Sequence, residues 1–220
     1  MLGSEYRKKR LPRDTRKRLI LDEAVKFFSE NGFEGQTRIL AERLGVTQPL
    51  LYRYFSDKDA LIRQVFDEVY IKKWEPEWDK MIRDRSRPLA DRMVGFYQSY
   101  YEAIFKSEFI RIFLFSGLKG GESNRRYIEL VQKNILVPFC EELIIELKLT
   151  DPRVIALTPD LAWTIHGIVA QVSIRTWVYN LPAPQSTDKQ IELSVRSFMI
   201  GMMSILKERQ AAQQSASPPE

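Results

Sequence analysis

The chain has 220 residues, 44% hydrophobic and 29% charged, so it holds enough apolar material to bury a core. No apolar run approaches the roughly 18 uncharged residues of a membrane-spanning helix, and no apolar segment follows the basic N-terminus to make a secretory signal. The single cysteine, Cys140, leaves no internal disulfide, so a reducing cytoplasmic setting is expected. The net charge of +5 is uneven: residues 1–18 carry eight Lys and Arg against Glu5 and Asp14. A basic stretch on a near-neutral body suits a polyanionic partner, and equally a solvated tail.

Nearly every segment has the helical period. Ile20, Ala24, Phe27 and Phe28 form one apolar stripe, with Gly32 placed to end that helix in a left-handed conformation. A short helix is predicted from Arg38 to Leu44, with Thr37 as its N-cap and Gly45 as its stop. Another runs from Gln48 to Tyr54, begins at Thr47, and carries Pro49 in its first turn, where the missing N–H costs nothing. A longer helix starts after Ser56, with Asp59 completing an approximate capping box, and runs to about Trp74 because Pro76 cannot continue it.

The remainder predicts longer helices. Leu89, Met93, Phe96, Tyr97, Tyr100 and Ile104 make a stripe after Pro88, and Phe109 to Leu118 is a short apolar segment closed by Gly120 and Gly121. Asn124 to Leu149 contains Pro138, which predicts a kink near residue 134. Pro159 opens a helix that ends before Pro182 and Pro184. A last helix spans about Asp188 to Arg209, and the polar residues 210–220 are expected to be disordered. The expected architecture is all-α: an N-terminal three-helix helix-turn-helix domain followed by a larger helical domain. The predicted boundaries are a basic arm at 1–15, the helix-turn-helix domain at 16–60 and the larger domain at 61–209.

Two short helices around a tight turn suit a helix-turn-helix, whose second helix presents its N-terminal residues to the major groove. Leu51 and Phe55 are expected inward, with Tyr52 and Arg53 outward. An arginine can fork onto guanine and a tyrosine hydroxyl can meet a phosphate, although aromatics at this spacing also make ordinary core.

The stretch from Arg16 to Leu61 resembles the DNA-binding domain of the TetR family. The resemblance rests on Ala24, Phe28 and Gly32-Phe33, on Thr37-Arg38, Leu40-Ala41 and Leu44-Gly45-Val46, and above all on Leu51-Tyr52-Arg53-Tyr54-Phe55 with Lys58 and Leu61. The loop Phe33-Glu34-Gly35-Gln36 is one residue shorter than the usual family spacing. The resemblance implies a homodimer on double-stranded operator DNA, most simply as a repressor. Gln48, Leu50 and Arg53 become base-edge readers, and Tyr52, Tyr54, Thr37 and Lys58 backbone contacts. Arg38 takes either role, Thr47 belongs to the same surface, and the arm from Arg7 to Arg18 follows neighbouring phosphates.

The resemblance also implies a small-molecule effector in the larger domain. From patterning, the pocket candidates are Phe96, Tyr97, Tyr100, Tyr101, Phe113, Trp163 and His166, a set that suits an apolar or aromatic ligand and equally suits core packing. The helix from Asp160 to Leu181 is apolar on two faces, Leu161, Ile165, Ile168 and Val172 on one, and Trp163, Ala170, Ile174 and Trp177 on the other. With Ile191, Val195, Phe198, Met202 and Ile205 of the last helix, the first of these faces is expected to form a four-helix dimer interface. One histidine and one cysteine on different helices make no nucleophile-base pair or zinc site, so no enzyme activity, metal or cofactor is expected. Glu141, Glu142 and Glu146 are expected on an exposed face, and Cys140 in the core. The alternative is a DNA-binding protein of the same fold governed by a protein partner; a tightly closed larger domain favours that, an enclosed cavity the ligand.

Overall fold

The computed structural model describes residues 12–118 and 122–216. Among them there is no strand, and the elements are helical throughout. Helix α1 (Arg13–Asn31) turns Ile20, Ala24, Phe27 and Phe28 into the core. It ends at Gly32, whose φ is 68° and whose N–H reaches the Phe28 carbonyl at 2.9 Å. A Cβ there would sit 3.1 Å from the Phe115 ring, so both backbone and packing call for glycine. Helices α2 (Thr37–Arg43) and α3 (Gln48–Tyr52) follow around Gly45, which also has a positive φ of 63°. Thr47 caps α3 by accepting from the Leu50 N–H. The predicted cap at Thr37 does not form: Thr37 is the first helical residue, and Gln36 stands at the N-cap without a side-chain bond.

Helix α4 (Lys58–Phe66) is capped by Asp57, which accepts from the Ala60 N–H at 2.6 Å, and continues as a π-helical turn over Asp67–Ile71. The next element, α5 (Glu77–Arg83), is too short to show a period, and the sequence reading passed over it. It buries Trp78 and Ile82 against α6 (Leu89–Ile104). Every residue of the predicted stripe on α6 is buried. Helix α7 (Ser107–Leu118) packs on α1; residues 119–121, including Gly120 and Gly121, lie outside the described residues.

The expected kink at Pro138 is present as a π-helical turn, Gln132–Leu136, between α8 (Glu122–Val131) and α9 (Val137–Leu147). Pro138 has no N–H to offer the carbonyl four residues back, and the Val137 N–H reaches Gln132 one residue further than in an α-helix. After the short α10 (Pro152–Ile155), α11 (Thr158–Ser173) ends in a third π-helical turn, Ile174–Val178. Helix α12 (Thr187–Ala216) packs across α6 and α11. Residues 210–216 continue this helix where a disordered tail was expected. Gln210 anchors it there, accepting from the Thr150 N–H at 2.9 Å and donating to the Lys148 carbonyl at 2.8 Å. No helix among the described residues is long and apolar enough to cross a membrane.

In the body, Arg92 and Glu142 form an ion pair at 2.8 Å with side chains 2% and 1% exposed. Arg92 also donates to the Ile82 carbonyl, and Arg85 grips Glu142 from the surface side. Glu142 therefore departs from the exposed face predicted for it. Glu141 is half exposed and pairs with Arg83, whereas Glu146 lies 3.5 Å from Arg92. Arg85 first, and Arg92 with it, hold the Glu142 carboxyl down at about 2 against the opposing effect of burial. Cys140 is half-buried, and burial raises its thiol above the ordinary value, which disfavours a reactive thiolate.

Candidate nucleic-acid interface and apolar cavity

The α1–α3 head closes over Leu40, Leu51 and Phe55, all buried. Burying Leu51 and Phe55 turns the intervening Arg53 outward, where it is exposed and makes no ion pair among the described residues. Thr47 is exposed as well, and Gln48, Leu50, Tyr54 and Lys58 are half-buried along the same edge. Arg38 is exposed and pairs with Glu42 at 3.1 Å, one helical turn on.

Three predicted contact residues are engaged with one another. Thr37 is buried, and its hydroxyl lies 2.8 Å from the Tyr52 hydroxyl and accepts from the Gln48 amide at 2.8 Å. This triad ties the start of α2 to α3, so Thr37 serves as a joint within the head. The end of the basic arm lies within the first helix. Arg13 already begins α1, and Arg18 is held by Glu68 at 2.6 Å and Asp22 at 2.9 Å. Arg18 thus ties the head to the turn after α4. Lys17 instead lies over the Phe55 ring at 5.6 Å, beside the end of α3. Arg7 to Arg10 lie outside the described residues.

In the body, a cavity of about 200 Å³ opens between α7, α8 and α11. Phe109, Ile110, Phe113 and Leu114 form one wall, Tyr127 and Val131 another, and Trp163, His166 and Ala170 a third. Phe113, Trp163 and His166 were expected there. Phe96, Tyr97 and Tyr100 are fully buried behind His166 and do not line the cavity, because α6 is covered by α5 and α12 on other sides. Tyr101 packs half-buried against Phe105, 5.9 Å between centroids, and is also outside the lining. The α7 and α8 residues were missed because an apolar run does not say which of its sides meets an empty space. A wider groove of about 460 Å³ at the head–body junction is walled by Arg18, Glu68, Lys73 and Lys106. Arg18, Lys73 and Lys106 face Glu68 and Glu108 across it, which suits a hydrated seam better than an apolar guest.

Helix α7 touches both regions. Its Arg111 donates from Nε to the Ser29 carbonyl near the end of α1 at 2.7 Å, and from Nη1 to the Trp177 carbonyl at the end of α11 at 3.2 Å. The same helix lines the cavity with Phe109 and Phe113.

The predicted dimer face divides in two. Ile165, Val172, Ile191, Val195 and Met202 are buried in the protomer's own core, which removes them from any surface offered to a second chain. Leu161, Ile168 and Phe198 are half-buried, and Ile205 is exposed. The outward side of α12 instead carries Leu193 at 65% exposure and Ile200 at 69%, with Ile205, 53% exposed, on its flank. Beside it, a groove between α11 and α12 is lined by Thr164, Gly167, Ile168, Gln171 and Ser194.

A tight helix-turn-helix head joined to an all-helical body defines a DNA-binding regulatory fold. Residues 20–65 match the model of the bacterial regulatory proteins of the tetR family. That match covers the head alone, so residues 20–65 carry a DNA-binding domain of the TetR type. No curated protein matches the sequence. Among solved structures, AmtR of Mycobacterium smegmatis superposes with a TM-score of 0.59 at 19% identity, over 96% of this chain and 99% of that one. A TetR-family transcriptional regulator from Streptomyces coelicolor gives 0.57 at 16% identity, over 92% and 90%. At these identities the likeness is one of fold, and it extends through the body.

Proposed function

We propose that this regulator binds a near-palindromic operator as a homodimer, acts as a repressor, and is released by a small apolar or aromatic ligand in the cavity under α7. On this reading Arg53 is the principal base-edge reader, with Leu50 and the Thr47 end of α3 beside it. Arg38, Tyr54, Lys58 and Lys17 serve phosphates. Gln48 and Tyr52 can leave Thr37 for DNA only by giving up the bonds that lock the head.

The observation that carries the reading is the pair Leu193 and Ile200, two turns apart on the outward side of α12, which none of the described residues covers. Exposed apolar residues gathered on one side of a long helix mark an interaction surface, and two-fold pairing of α11 and α12 with their copies buries them in a four-helix contact. Two-fold symmetry then sets the half-sites one helical turn, about 34–36 Å, or a multiple of it apart. The cavity favours a ligand over control by a protein partner, since it is apolar and sits against the helix that touches the head.

The test replaces Leu193 and Ile200 with glutamate. Both side chains are exposed in the protomer, so melting should change little while sedimentation shows monomers. Operator affinity should fall about 100-fold or more as the half-sites lose their tether. A dimer that survives both substitutions places the interface elsewhere.

A further inference from the structure

The cavity wall contains a buried imidazole that no described protein group satisfies. His166 is 8% exposed, and its ring lies among Tyr100, Phe105 and Trp163 at centroid separations of 5.5–6.1 Å. Its Nδ1 is buried without a hydrogen-bond partner. Tyr127, the other hydrogen-bonding group deep in the wall, has its hydroxyl committed to that of Tyr100. Among the described residues, no carboxylate, ammonium or guanidinium lines the space.

Buried polar groups are almost always paired, and one left unpaired waits for a water or a ligand. A half-turn of the imidazole about Cβ–Cγ exchanges its nitrogens with ring carbons at little change of outline, so either nitrogen can face the cavity. Burial holds the ring neutral, its pKa pushed down to about 4. A neutral imidazole gives one donor and one acceptor, and a hydroxyl, being both, serves either tautomer. An apolar cavity of about 150 Å³ takes a benzene-sized guest, so 200 Å³ admits one substituted ring.

We infer that the effector is an uncharged single-ring molecule whose one hydroxyl or N–H pairs with His166 while its ring fills the space between Phe109, Phe113 and Trp163. The inference rests on reading this cavity as the effector site, and it deepens that reading from apolar ligand to neutral, phenol-like ligand.

The experiment titrates the purified full-length protein with phenol, toluene and benzoate, by calorimetry and thermal shift. A bare apolar cavity prefers toluene, because an unpaired buried hydroxyl is costly. Pairing with His166 reverses that order, so phenol should bind about tenfold more tightly than toluene, and benzoate should not bind. His166→Phe and His166→Asn separate shape from polarity. The Phe variant should lose the phenol preference and keep toluene binding, and the Asn variant should retain the preference for phenol. Ala170→Phe, filling the cavity, should abolish both. Toluene preferred by the wild type, a phenol preference unmoved in His166→Phe, or benzoate binding equal to phenol would each overturn the inference while leaving the cavity as a ligand site. Binding that survives Ala170→Phe, or no binding of any probe by the wild type, removes the cavity reading and this inference with it.

Discussion

The α1–α3 head buries hydrocarbon and keeps its cations in water, whereas the body buries an arginine and a glutamate and leaves an apolar space elsewhere. In the head, Arg38, Arg43 and Arg53 are all at the surface around a core of Phe27, Phe28, Leu51 and Phe55. In the body, Arg92 and Glu142 are nearly inaccessible, and a separate apolar space is walled by α7, α8 and α11 around His166. The contrast separates two uses of charge. Surface cations cost nothing to hold and remain available to a polyanion. A buried pair costs desolvation, adds little net stability and fixes which helices meet.

Breaking the buried pair should have the largest effect. Glu142→Ala leaves the buried Arg92 guanidinium with only the more distant Glu146 as counter-charge, and should destabilise the body by about 3–5 kcal/mol. Replacing both, as Arg92→Met with Glu142→Leu, should recover most of that, because no orphaned charge remains. All four tryptophans, Trp74, Trp78, Trp163 and Trp177, lie outside the head, so their fluorescence during urea unfolding reads the body alone. The pH dependence follows from the same pair. Glu142 is held at about 2 against an ordinary 4.5, so its stabilising contribution is present above about 4.5 and is lost as pH falls through about 2. Urea midpoints of the wild type should drop across that window, and those of the double replacement should drop less. Equal acid sensitivity in the two proteins would take the pair out of the body's acid response.

The second effect belongs to the head. Arg53→Ala should cost about 1–3 kcal/mol of operator affinity and relax preference at one base position. Lys58→Ala should weaken all sequences alike and flatten the salt dependence, since it removes one phosphate neutraliser. Neither should move the tryptophan unfolding curve, because both side chains are at the surface of the head or its edge. A uniform loss across operator variants with Arg53→Ala would reassign it to a phosphate.

The same division explains what was legible in the sequence. The head is built from local signals: Gly32 and Gly45 at their turns, Thr47 and Pro49 opening α3, and an α1 stripe only nine residues long. Its one misreading, Thr37 as a cap, arose because the true partners of that hydroxyl, Gln48 and Tyr52, are 11 and 15 residues away. The body's helices were legible wherever they ran for several turns, and so was the break before Pro138. Which face of each helix meets which neighbour was not. Ile191, Val195 and Met202 are as apolar as Leu193, Ile200 and Ile205, and only the packing of α12 on α6 and α11 separates core from surface. Glu142 looked exposed beside Glu141 because its arginine stands 50 residues earlier.

The smallest expected effect tests how the two regions communicate. Arg111 holds one carbonyl from each, Ser29 of α1 and Trp177 after α11, while Phe109 and Phe113 on the same helix face the cavity. A guest that shifts α7 must therefore shift or break a charge-assisted bond to the head. Arg111→Leu removes both bonds and leaves the cavity wall and the α3 surface intact. It should leave the affinities of the unliganded protein for operator and of the DNA-free protein for phenol nearly unchanged. The coupling between them should weaken by about 0.5–2 kcal/mol, read as a smaller rise in operator Kd at saturating phenol. Linkage demands the reciprocal loss, so operator should also displace phenol less effectively, and by the same factor. Measuring both directions guards against a trivial loss of binding, which would change one affinity without the matching change in the other. Coupling that persists at wild-type strength in both directions would move the route off Arg111 and onto α4, whose π-helical end carries the Glu68 that Arg18 grips.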